Sequence, residues 1–202
     1  LAVIVKNGGG NIEVTAVEYN EDIAAVYKDF YPGDMVIVGD AHEYLLKHYM
    51  EFDYIFSSPP CPTHSDMRRC AVHKGQNEAL YPDMKLYEEI ILLQNFAPKD
   101  CKWVIENVKP YYTPLIRPTI EIHRHLFWSN GKISNTIIES DVQLEKVHDN
   151  STVFGINLKK YDMPSVKYKK QVLRNMINPV LGKHIFDCLF ETEIKVQGLF
   201  EF

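Results

Sequence analysis

MVIVGDAHEYLLKHYMEFDYIFSSPPC, residues Met35–Cys61, is the stretch whose reading decides the fold. Met35–Val38 is a short apolar, branched run stopped by Gly39-Asp40, and it reads as a strand. Residues 41–49 carry apolar side chains at helical spacing. Tyr54–Phe56 is a second apolar run, stopped by Ser57-Ser58-Pro59-Pro60, where the prolines fix their own φ and restrict the residue before each. Strand, helix, strand within so few residues predicts a crossover unit.

The pattern extends in both directions. Residues 13–18 read as a strand and 22–30 as a helix. Residues 83–95 read as a helix, 102–105 as a strand ending at Glu106-Asn107, and 125–128 as a further strand. A helix over 171–189 is expected to break at Asn178-Pro179. Strands alternating with helices predict an α/β fold, a Rossmann-like parallel sheet covered by helices on both faces. From 131 to 166 the alternation fades, so three regions are expected: 1–130, a small excursion 131–166, and a return segment 167–202. The tail after Glu193 reads as a docked strand or a partner-binding segment. At the other end, residues 3–14 read as a hairpin with Asn7-Gly8 as the turn signal.

Composition sets the class. Apolar residues make up 46% and charged residues 24%, which is ordinary for a globular domain. No apolar run approaches the roughly 18–20 residues of a membrane span, and no charged-then-apolar leader opens the chain. The four cysteines, Cys61, Cys70, Cys101 and Cys188, form no Cys-x-x-Cys pair. That argues against a disulfide framework or a structural zinc and for a reducing cytoplasm. The net charge of −5 disfavours nucleic acid, yet Arg68, Arg69 and Lys74 crowd one stretch and Lys167, Lys169, Lys170 and Arg174 another.

In open α/β sheets ligands bind at the carboxyl ends of the strands. Glu18, Asp40, Cys61 and Glu106 all fall at such ends. Cys61 follows a stiff turn and has His64, Arg68, Arg69 and Arg124 as candidate activators of a thiol. A Glu at the end of an apolar strand is placed to hold a proton for a ring nitrogen.

Pro59-Pro60-Cys61 followed by Glu106-Asn107-Val108 resembles the cytosine-5 DNA methyltransferases. Val17-Glu18-Tyr19 looks like that family's acidic residue for the cofactor ribose, and Gly39-Asp40-Ala41 like its adenine-contacting segment. Arg124-His125-Leu126-Phe127-Trp128 looks like the strand bearing its base-contacting Arg. Arg174-Asn175-Met176-Ile177-Asn178-Pro179 looks like the late segment that returns to the cofactor pocket.

The resemblance implies a methyl group carried from S-adenosylmethionine to carbon 5 of cytosine in DNA. The thiolate of Cys61 would add to carbon 6, Glu106 would hold the ring nitrogen and amine, and Arg124 would hold the ring carbonyl. The base must leave the duplex to reach them. The resemblance also assigns Gly9, Gly10, Asn11, Glu18, Tyr19, Asp40, Ala41, Pro60 and Asn175 to the cofactor. It assigns Ser65, Arg68, Arg69, Lys169 and Lys170 to DNA, with residues 62–80 as a loop that closes over the base.

The chain departs from the family in four places. Pro62 stands where the family has Gln. The base-contacting strand is reduced to His123-Arg124-His125, so Arg124 and His125 compete for one position; Arg124 is chosen because only Arg is always charged. The recognition region is short. The glycines at 8–10 are followed by Asn11-Ile12 and then a strand, with no room for the crossover helix of the family's cofactor loop. A relative that binds DNA without methylating it, and an RNA cytosine-5 methyltransferase, are the alternative readings.

Overall fold

Two residues separate Gly8 from Asn11, and that spacing decides the direction of the first strand. A connection so short can join only antiparallel neighbours. In the computed structural model, which describes residues 2–8, 11–136, 161 and 177–197, β1 (Ala2–Gly8) and β2 (Asn11–Glu18) form a hairpin. Its register runs from Ala2↔Val17 to Gly8↔Asn11. Asn7 and Gly8 are paired within the ladder, so they are not the turn they were expected to be.

Asn20 starts α1 (Glu21–Phe30): its side chain accepts from the Asp22 and Ile23 amides, and Glu21 and Asp22 suit the positive end of the helix. β3 (Met35–Val38) then pairs parallel with β2. Asp40 caps α2 (Ala41–His48) in the same way. A short 3₁₀ turn over Tyr49–Glu51 leads to β4 (Tyr54–Ser57). After α3 (Asp66–His73) and α4 (Lys85–Phe96) comes β5 (Lys102–Val108), parallel to β4. β6 (Ile120–Ile122) and β7 (His125–Ser129) form a second hairpin, with His123 in the left-handed region at φ 55°. Finally α5 (Pro179–Gln197) opens with proline in its first turn, and the Asn178 side chain accepts from the Val180 amide. The break expected at Asn178-Pro179 is therefore a capped helix start. The last described residues, through Gln197, are helical rather than a strand.

The seven strands lie in the order β3-β2-β1-β4-β5-β7-β6. This is a doubly wound order with a hairpin strand added at one side. β2, β3, β4 and β5 point one way, while β1 and β7 run against them. The sheet is thus mixed, not purely parallel, because two of its connections are tight hairpins. Crossovers of this kind are right-handed, and β2→β3 and β4→β5 step in opposite directions. That places α1 on one face and α4 on the other. The packing agrees: one apolar cluster joins Ala2, Ile4, Ile55, Trp103, Ile105, Leu126 and Trp128 to Leu45 of α2 and Leu86, Ile90 and Leu93 of α4, and takes nothing from α1.

The chain divides into two compact units, 1–132 and 133–202. The sheet belongs wholly to the first. In the second, Leu181, Ile185 and Leu189 form the buried stripe of α5, and the His184 ring contacts the Ser134 carbonyl. No helix among the described residues is long and apolar enough to cross a membrane.

A polar group is built into the α4 side of the sheet. The buried Glu89 carboxylate accepts from the Ser57 hydroxyl at 2.6 Å and meets Nδ1 of His42 at 3.1 Å. Nε2 of His42 lies 3.2 Å from Glu88. The hydrogen bond to Glu89 raises the His42 pKa, and burial opposes it. A raised folded value contributes stability that is full below the unfolded imidazole pKa and is lost as pH climbs through the folded one. The melting-temperature gap between wild type and His42→Gln should therefore be wide near pH ~5.5 and narrow near pH ~9. Equal gaps at the two pH values would show that the pair adds no proton-linked stability.

Candidate active site

Consecutive serines at the end of β4 face opposite sides of the sheet, as successive strand residues must. Ser57 turns toward α4. The Ser58 hydroxyl instead donates to Oε2 of Glu106 at 2.6 Å. One residue later the backbone is tied again: the Asn107 side-chain amide donates to the Pro59 carbonyl at 3.0 Å. Glu106 and Asn107 are both buried, at 4% and 1% exposure. Two bonds from adjacent β5 residues therefore fix the Ser58-Pro59-Pro60 turn from its two sides, and Cys61 leaves that turn half-buried. The Cys61 carbonyl accepts from the His64 and Ser65 amides, so the chain curls into α3 directly after the thiol.

The other oxygen of Glu106 belongs to β7. Glu106 pairs with Phe127 in the ladder, so His125 stands diagonally beside it on the same face. Nδ1 of His125 lies 2.5 Å from Oε1, and both side chains are buried. Arg124 occupies the two-residue turn before β7, and its carbonyl accepts from the Lys109 amide. The competition between Arg124 and His125 thus divides the roles. His125 makes the contact with Glu106, and Arg124 supplies charge near Cys61. Burial pushes the Cys61 thiol up, and the charge of Glu106 pushes it further. Its own backbone amide and Arg124 pull it down.

The remaining expected residues fall into three groups. Glu18 and Asp40 end β2 and β3 on the same edge of the sheet as Cys61. Glu18 lies two strand positions from β4, about 10 Å away. Glu18 accepts from the Asn20 amide. Tyr19 is largely exposed. Asp40 caps α2, which Ala41 opens, and pairs with Lys85 at 2.8 Å, which holds its carboxyl below the usual range. Pro60 lies in the turn beside Cys61.

A second group sits in the segment expected to close over the base, and much of it is α3. Ser65 caps that helix by accepting from the Arg68 amide and pairs by backbone with Pro110. Arg68 donates to the Glu78 carbonyl. Arg69 pairs with Asp66 at 2.8 Å and lies over the Tyr111 ring. Both arginines line a 160 Å³ cleft with Thr63, His73, Leu80 and Tyr111.

In the third group, Asn11 is not brought to the site. Asn11 pairs with Gly8 at the far end of β1, whereas Ala2, at its near end, pairs with Ser57. Six residues of strand, about 20 Å, separate the two ends. The expectation that Asn11 contacts a cofactor beside Cys61 is therefore corrected: the hairpin carries it to the opposite edge. Gly9, Gly10, Lys169, Lys170 and Asn175 lie outside the described residues. A larger cleft of 510 Å³, lined by Trp103, Arg117, Trp128 and Asn130, also opens at that opposite edge and is remote from the thiol.

Sequence reasoning gave no role to Ser58 or Asn107, and read His64 only as a candidate activator of the thiol. His64 is fully buried, its pKa is lowered by burial, and Nδ1 lies 2.6 Å from the Tyr112 hydroxyl, which ties the start of α3 to the segment after β5. Their signal is position alone: Ser58 precedes Pro-Pro, Asn107 follows Glu106, and His64 lies three residues past the thiol.

No known protein family and no curated protein matches the chain.

The charges around Cys61 give a direct test. Glu106→Gln removes the anion that raises the thiol, so alkylation of Cys61 by iodoacetamide at neutral pH, followed by peptide mass mapping, should quicken. Arg124→Gln should slow it. Exposed Cys70 serves as the internal reference. No change in either variant would show that these charges do not act on the thiol.

Proposed function

We propose that this protein is a cytosine-5 DNA methyltransferase whose thiol Cys61 adds to carbon 6 of a flipped cytosine. One observation carries the reading. The turn that holds Cys61 is bonded to Glu106 and Asn107 near the end of β5, so thiol and buried carboxyl converge at the carboxyl edge of a doubly wound sheet. Cytosine carbon 5 becomes nucleophilic only after addition at carbon 6, which needs a thiolate and a group to hold the proton on the ring nitrogen. Cys61 and Glu106 supply the two. Arg124 favours the thiolate. Arg68 and Arg69 stand beside the site for phosphate.

S-adenosylmethionine would supply an electrophilic methyl group. Its fit divides. Glu18 and the Gly39-Asp40-Ala41 segment suit the ribose and adenine, since they end β2 and β3 on this edge. The glycine segment that should cradle the methionine end does not suit it, because β1 runs backward and offers only its amino end here. No methyl-transfer step is derived from this geometry. The same reversal favours a second reading, a DNA-binding relative that adds to cytosine or binds it without methylating.

Release of tritium from duplex DNA carrying [5-³H]cytosine separates these readings. With S-adenosylmethionine, wild type should release tritium and incorporate methyl groups, and Cys61→Ser should do neither. Cys61-dependent release without methyl incorporation would select the second reading. No release under any condition, or release that survives in Cys61→Ser, would sink the assignment of Cys61. Signal confined to transcribed tRNA in a parallel arm would move the substrate to RNA.

A further inference from the structure

Both oxygens of Glu106 are already held before any substrate arrives. Oε2 accepts from Ser58, and Oε1 faces Nδ1 of His125 at 2.5 Å. A carboxylate has room for about four hydrogen bonds, so each oxygen keeps a free lone pair for a ligand. The contact to His125 differs in kind from the contact to Ser58. Two atoms so close must have a proton between them: an imidazole or imidazolium N–H donating to the carboxylate, or a carboxylic acid donating to the imidazole. The pair is buried, with side chains at 4% and 6% exposure, so water does not exchange that proton freely. Ser58 from the β4 turn, Cys61, Arg124 from the β6–β7 turn and Phe127 of β7 surround it.

We propose that His125 is a positioning residue that holds, through Glu106, the proton delivered to the cytosine ring nitrogen. The inference rests on the reading of Cys61 as a nucleophile toward cytosine. Addition forms the S–C6 bond. The C5=C6 pair moves to C4–C5, and the C4=N3 pair becomes the N3–H bond with the proton that Glu106 presents. Glu106 is then again a carboxylate, and His125 is a neutral imidazole. In the exchange reaction without methyl donor, carbon 5 takes a proton from water and yields its tritium to water. The thiolate then leaves, and the N3 proton returns to the Glu106–His125 pair. An arginine at this position would supply charge but could not give up its proton, whereas an imidazole does both.

The test compares wild type, His125→Asn and His125→Leu in tritium exchange from [5-³H]cytosine duplex DNA without methyl donor, with DNA affinity measured in parallel. Asn keeps an N–H donor for Oε1 but has no proton to give. Both variants should lose about 100-fold or more in exchange rate while DNA affinity stays within about threefold. A proton spectrum adds a readout independent of turnover: the Nδ1–H of His125 should give a far-downfield, slowly exchanging signal that disappears in Glu106→Gln. Exchange at the wild-type rate in His125→Asn would overturn the proton-holding role while leaving Cys61 as nucleophile. Absence of Cys61-dependent exchange in wild type would overturn the underlying reading, and this inference with it. A missing downfield signal in folded wild type would overturn the pairing itself.

Discussion

A carboxylate buried to 4% exposure has to be satisfied, and the satisfaction of Glu106 organises this edge of the sheet. Ser58 reaches it from the turn after β4, and His125 from the start of β7. Three elements are thereby fixed at one point. The neighbouring Asn107, on the opposite face, takes the Pro59 carbonyl, so the turn is held from both sides of the sheet. Pro59 and Pro60 stiffen the turn, and Pro62 restricts the residue before it, which is Cys61. The chemistry ascribed to the thiol follows from the obligations of a buried acid one strand away.

The second organising constraint is the short link between β1 and β2. It reverses β1 without disturbing the strand order, because a strand inserted between β2 and β4 bonds in either direction. The crevice where the two halves of the sheet diverge is kept, and Glu18 and Asp40 still end on it. The first strand instead ends, at Gly8, at the other edge of the sheet. Glu18 and Asp40 thus share this edge with the thiol and carboxyl pair.

The elements around β3, α2, β4, α4 and β5 were legible because each pairs a strong period with a local stop. Asn20, Asp40 and Asn178 cap helices, and Gly39 and Pro59-Pro60 end strands. β6 was not legible: Ile120–Ile122 is too short to carry a period and exists because Phe127 and His125 have a partner. α3 was equally hidden, since its eight residues bury no apolar stripe. Ser65 was read for phosphate, yet its oxygen caps that helix, a use that depends on the fold of the whole segment.

By itself the sequence determined the local facts. Gly-rich spacing demanded a hairpin, proline pairs demanded a rigid turn, and the order of Cys61, Glu106 and Arg124-His125 named the groups that could meet. Tertiary structure alone decided which of them do. Side chains alternate across a strand, so a one-residue difference in register settles whether Arg124 or His125 faces Glu106, and that register is fixed by the pairing of β7 with β5. The direction of β1 was legible, but its seat between β2 and β4 was not. Only that seat sends Gly8 and Asn11 to the far edge, away from Cys61 and its carboxyl.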